Sequence, residues 1–128
     1  MRLLLDTHTF LWWVNDATEL STKARKAITS VENQCFLSLA SCWEMSIKVS
    51  LNKLRLTQPI ERFVPEHLAA NEFRLLGIEF SHIARTGALP FHHRDPFDRL
   101  LAAQALSEDL AIASADPIFR HYGIKRVW

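Results

Sequence analysis

In HRDPFDRLLAAQA, residues 93–105, Asp98 follows Asp95 by three residues and shares its helical face with Leu101, Ala102 and Ala105. Asp95 before Pro96 reads as a helix cap and first turn. Asp98 then falls at the third helical position, where an acid suits the helix dipole, yet it stands on the face that packs inward. Glu44 poses the same question. Ala40, Ile47 and Leu51 lie four before, three after and seven after it, so the carboxylate sits in an apolar stripe, with Lys48 one turn on as an ordinary pairing partner. Asp6 closes the apolar run RLLLDT, and Asp116 follows LAIASA directly, with the hydroxyl of Ser114 two residues before it. Each could merely cap a helix. Capping does not explain four acids, Asp6, Glu44, Asp98 and Asp116, converging on one place, because unpaired carboxylates in one cleft repel and resist burial. Hard divalent cations relieve that repulsion, and an oxygen-only donor set suits Mg2+ or Mn2+. The histidines, His8, His67, His82, His92, His93 and His121, lack the spacing of a zinc site and read as surface or supporting groups.

Convergence requires a scaffold, and the chain alternates short apolar runs with helical ones. RLLLDT, QCFLS, FRLLGIEF, LAIASA and IKRVW read as five strands. HTFLWWV, STKARKAITS, LASCWEMSIKVSL, PIERFVPEHLAAN, SHIARTGAL and PFDRLLAAQALSED read as helices, the second opened by Ser21. DPIFRHYG reads as a short helix ended by Gly123, KLRLT as a small extended excursion, and Pro65 as a break or kink in the fourth helix. Right-handed crossovers then give a three-layer α/β/α sandwich around a parallel five-stranded sheet. Ligands bind such sheets outside the carboxyl ends of the strands, where the strand order reverses. Asp6 and Asp116 share that edge if their strands are neighbours.

The length of 128 residues fits one domain, 1–128, and a hydrophobic fraction of 48% suffices for one core. A net charge of +1 leaves any nucleic-acid binding to a local patch. Asp6 and His8 interrupt the apolar start, so it reads as neither signal peptide nor membrane span, and the expected compartment is the cytoplasm. Cys35 and Cys42 lack metal or redox spacing and read as reduced, buried thiols.

Taken together, LLLDTH, SLASCWEMSIK, HRDPFDRLLAAQA and ASADPIF resemble the PIN-domain ribonucleases, in particular the VapC toxins of type II toxin–antitoxin pairs. The resemblance covers essentially the whole chain. Family members often carry Thr where Ser114 stands, a change that keeps the hydroxyl. The resemblance implies a Mg2+- or Mn2+-dependent endoribonuclease, with Asp6, Glu44, Asp98 and Asp116 as catalytic and metal-site acids. It also implies a homodimer, or a heterotetramer or larger assembly with a cognate antitoxin protein. One or two ions would bind the scissile phosphate and activate a water for in-line attack. Asp6 and Asp98 are expected to be the main ligands. Glu44 would ligate or orient the water, Asp116 would act directly or through water, and Asp95 would serve as cap and outer acid.

Arg94, Arg99, Lys48, His93 and Arg120 are candidates to contact RNA phosphates. Trp12, Trp13 and Trp43 read as core or interface residues before base-stacking platforms. Two alternatives remain open. A receiver-like phosphoacceptor would need a paired acid after the first strand, where Thr7 and His8 stand. A non-catalytic module would keep the fold without the activity, and the presence of all four acids speaks against it.

Overall fold

The computed structural model describes residues 1–128. Strands β1 (Arg2–Leu5), β2 (Gln34–Ser38), β3 (Arg74–Leu76), β4 (Ala111–Ala113) and β5 (Arg126–Val127) form one parallel sheet in the order β3-β2-β1-β4-β5. Helices α1 (Thr7–Val14), α2 (Thr22–Thr29), α3 (Leu39–Ser50), α4 (Ile60–Asn71), α5 (Phe80–Ala88) and α6 (Pro96–Glu108) cover it, and a 3-10 helix spans Pro117–Tyr122. The expected α/β/α sandwich with five parallel strands is therefore present.

Successive side chains of a strand point to opposite faces, and β1 uses both. Leu3 and Leu5 enter one core with Phe10, Ile28 and Phe63, while Leu4 enters the other with Leu101, Ala105 and Phe119. All three leucines are fully buried, each contributing roughly 1.5–3 kcal/mol. A central strand buried on both faces is an apolar run without alternation, as the sequence has it. Because β1 pairs with β2 on one side and β4 on the other, the strand order reverses between β1 and β4. Asp6 and Asp116 flank that crevice.

Three local expectations change. The third strand is confined to Arg74–Leu76, because its single neighbour β2 ends opposite Leu76 at Ser38, where α3 begins, and the Gly77 carbonyl accepts instead from Gln104 Nε2 at 3.2 Å. The segment 53–57 is irregular, with Leu54 and Leu56 packed against the core beneath α1 and α4 in place of strand pairing. Helix α4 runs unbroken past Pro65, the sixth of its twelve residues, whose missing N–H removes one helical hydrogen bond. Cys35 is buried and Cys42 half-buried, both as free thiols, and burial pushes each up to about 11. No helix is long and apolar enough to cross a membrane.

Candidate active site

Each acid is delivered by a different element. Asp6 terminates β1, and its amide donates to Ala113 O at 3.1 Å, prolonging the β1–β4 pairing by one residue. Thr9 Oγ1 donates to the same carbonyl at 2.8 Å and anchors the first turn of α1 over β4. Glu44 lies on the inner face of α3, which Ser38 starts by accepting the Ala40 amide. Asp98 follows the cap that opens α6, where Asp95 Oδ1 accepts from the Phe97 and Asp98 amides at 2.8 and 3.1 Å. Asp116 caps the 3-10 helix through Oδ1, which accepts from the Ile118 amide at 3.0 Å. Arg126 of β5 holds the preceding turn, donating to Ser114 O at 2.9 Å.

These four acids, with Asp95, line one cleft of about 470 Å³ that also includes His8, Trp12 and Lys48. Asp6 and Glu44 are both 8% exposed. Asp6 Oδ2 accepts from the Ser114 hydroxyl at 2.6 Å, while that hydroxyl accepts from the Asp116 amide at 3.0 Å. Ser114 thus ties the first acid to the fourth. Glu44 engages both of its oxygens, Oε2 with Lys48 Nζ at 2.9 Å and Oε1 with the Thr7 hydroxyl at 2.8 Å. The Thr7 oxygen is also 2.8 Å from Ser41 Oγ. Its single proton goes to the carboxylate, the charged and stronger acceptor, and Ser41 donates to Thr7. His93 Nε2 lies 3.0 Å from Asp98 Oδ2 and 3.1 Å from Asp116 Oδ2.

This leaves an ordered set of donors for a cation. Both oxygens of Glu44 and both of Asp116 already hold partners, whereas Asp98 has one oxygen without a donor and Asp6 one that no side chain engages, with only the Thr7 amide beside its carboxylate. Burial, followed by the charges of Asp6, Asp95, Glu44 and Asp116, pushes the Asp98 carboxyl up to about 8. Burial likewise raises Asp6, opposed by the Ser114 hydroxyl and the nearby His8. Carboxylates held against their own repulsion, with two oxygens in reserve and no sulfur donor, fit a hard divalent cation.

The structure redistributes the cationic candidates. Lys48 lines the cleft but is engaged with Glu44. Arg99 is a correction: it is 7% exposed, and its guanidinium donates to Thr86 O, Pro90 O and Leu89 O at 2.7, 3.0 and 3.2 Å. It binds the end of α5 to α6 and faces away from any solvent-borne phosphate. His93 joins two acids instead of standing free. Arg94 and Arg120 are exposed and outside the cleft, Arg94 on the wall of an adjoining apolar groove. Trp13 donates to Asn71 Oδ1 at 3.0 Å and packs α1 on α4, Trp12 borders the cleft stacked with His8, and Trp43 is 59% exposed. Sequence reasoning missed Thr7, Ser41 and Arg126, and had His8 only among the surface or supporting histidines. The adjacency of Thr7 to Asp6 and the spacing of Ser41, three residues before Glu44 on one helical face, were the available signals.

The PIN domain family model matches residues 3–125. Ribonuclease VapC22 of Mycobacterium tuberculosis is 27% identical over 121 residues, covering 94% of this chain and 91% of that protein. Among solved structures, VapBC2 from Rickettsia felis bound to a DNA fragment from their promoter superposes with a TM-score of 0.73 at 13% identity, covering 100% of both chains. FitAcB from Neisseria gonorrhoeae superposes at 0.67 and 20% identity, covering 97% of this chain and 95% of that one. The family match spans four strands, every helix and all four acids of the cleft, and the chain belongs to the PIN domain family.

Proposed function

We propose that this protein is the endoribonuclease toxin of a type II toxin–antitoxin pair, dependent on Mg2+ or Mn2+ and hydrolysing RNA phosphodiester bonds. The observation that carries the reading is the convergence of Asp6, Glu44, Asp98 and Asp116 at the strand-order reversal, with one oxygen of Asp6 and one of Asp98 in reserve. A ribonuclease among the relatives and a toxin–antitoxin complex among the structural neighbours support it.

A bound divalent cation would supply charge for the scissile phosphate and acidify a water. Asp6 and Asp98 would hold it through their reserve oxygens. Glu44, steadied by Thr7 and Lys48, would orient the water and take up its proton, and Lys48 would exchange its carboxylate partner for phosphate as RNA enters. Asp116, with both oxygens engaged, would act through a water. In-line attack would leave 5′-phosphate and 3′-hydroxyl ends.

Exposed apolar surface supports a second copy of the chain as one partner. Leu39 and Trp43 lie one turn apart on α3 and Phe80 and Ile83 one turn apart on α5, while Trp43, Ile83 and Phe91 line one groove of about 510 Å³. Their exposed area is on the order of 600 Å2, at the limit of what a monomer presents and close to one side of a standard interface. We assign this face to the second copy in a homodimer. The antitoxin would bind elsewhere on the dimer, giving a heterotetramer or larger assembly.

Purified protein with a single-stranded RNA mixture and Mn2+ tests the activity. Cleavage that stops with chelator and is lost in Asp6→Ala is the expected result. Stable aspartyl phosphate from a small phosphodonor, without RNA cleavage, would favour the receiver-like alternative instead.

A further inference from the structure

We infer that His93 is a positioning residue that couples Asp98 to Asp116 through one shared proton. The inference rests on the nuclease reading and assigns this side chain a role inside the cleft instead of on the path of the RNA.

The tautomer is set by the backbone. Asp95 N–H donates to His93 Nδ1 at 3.0 Å, so in the neutral ring Nδ1 presents its lone pair and Nε2 carries the hydrogen. That single N–H lies between two carboxylate oxygens, 3.0 Å from Asp98 Oδ2 and 3.1 Å from Asp116 Oδ2. The ring is held from both sides. Its own amide donates to Tyr122 Oη at 2.9 Å, and Tyr122 ends the 3-10 helix that Asp116 begins. Asp95, which sets the ring, also caps the helix carrying Asp98. One histidine therefore connects the starts of two separate elements, each contributing an acid.

Two chemical consequences follow. A donor shared between two carboxyl groups ties them to each other before any cation arrives. The donor also occupies Oδ2 of each acid. Asp98 is then left with Oδ1 for a cation, whereas Asp116, with Oδ1 on the Ile118 amide, has no unengaged oxygen. His93 would thus turn Oδ1 of Asp98 towards a cation, while the Ile118 amide on Oδ1 of Asp116 makes the difference between the two acids. A histidine serving as an RNA contact would need a free nitrogen turned to solvent, and both nitrogens of His93 are occupied.

The test compares the unaltered chain, His93→Ala and His93→Gln, with folding checked by circular dichroism. Mn2+ affinity is read by electron paramagnetic resonance without RNA, and kcat and KM are read with RNA. Glutamine places an N–H close to the position of Nε2 and alanine does not. The expected result is Mn2+ affinity about 10–100-fold weaker in His93→Ala, the range for outer-sphere partners of a metal ligand, with unchanged KM for RNA at saturating Mn2+. His93→Gln recovers most of the loss. Equal Mn2+ affinity in all three proteins overturns the inference. So does an equal fall in both variants, which would make the ring itself a ligand, and so does a raised KM with unaltered Mn2+ affinity, which would return His93 to the RNA. If the unaltered chain neither binds Mn2+ nor cleaves RNA, the nuclease reading fails and takes the inference with it; the other failures leave that reading standing.

Discussion

Asp98→Asn is expected to stabilise the metal-free protein while removing its activity. In the folded chain the Asp98 carboxyl is pushed up to about 8, against 3.8 for an ordinary aspartate, with burial as the first cause and the surrounding acids as the second. Between those two values the folded chain holds a proton that the unfolded chain has released, so stability falls as pH rises and levels off above pH 8. At about 1.36 kcal/mol per pH unit, the deficit at pH 7 is on the order of 4 kcal/mol. Asparagine does not ionise, and its oxygen still accepts from His93 Nε2. Urea unfolding in chelator at pH 4.5, 7 and 8.5 should show no gain at the first, a gain of roughly 2–4 kcal/mol at the second and the largest gain at the third. Mn2+ should then raise the stability of the unaltered chain and leave the variant unmoved. A gain that is the same at all three pH values, or absent at pH 8.5, would refute the reasoning, because the strain would not then come from ionising this carboxyl.

The same proton should appear in metal binding: Mn2+ affinity is expected to rise about tenfold per pH unit from pH 6 towards 8 and then level, with about one proton released per ion at pH 7, as calorimetry in buffers of different ionisation enthalpy would report. Affinity independent of pH would exclude Asp98 as the site of that proton. Arg99→Ala should cost roughly 2–4 kcal/mol in urea unfolding, because buried carbonyls lose a charged donor. Arg94→Ala should leave stability unaltered, and if Arg94 meets a phosphate, RNA binding by this variant should show a shallower salt dependence, by about one unit in the logarithmic slope. Light scattering after gel filtration should find the unaltered chain as a dimer and Ile83→Glu as a monomer; a dimer that survives the substitution would place the interface elsewhere.

The sheet was legible because β1 and β4 are buried on both faces and therefore appear as uninterrupted apolar runs. The short extent of β3 was not, since it depends on which residue of β2 lies opposite Leu76 when β2 gives way to α3. At the site, Asp6, Glu44, Asp98 and Asp116 could be picked out because an acid on an apolar face or at a strand end demands compensation. Arg99 was misjudged for the complementary reason. Beside an exposed Arg94 it looks like part of a basic patch, and only the arrangement of α5 against α6 turns its guanidinium onto three carbonyls. Likewise, nothing in the string HHRD distinguishes His92, which is exposed, from His93, which is locked by the Asp95 amide.

The hydrogen bond from Ser114 to Asp6 closes a loop across 108 positions of the chain, and β4 enters the sheet beside β1 only after β2 and β3 have taken the other side. A chain still being synthesised carries Asp6 well before Asp116 and has no assembled cleft until residues beyond 116 have been added and β4 has packed beside β1. Contacts so distant in sequence form late in folding. The fold thus imposes an order: hydrolytic capacity would arrive only once Asp116 has been added and β4 has packed against β1.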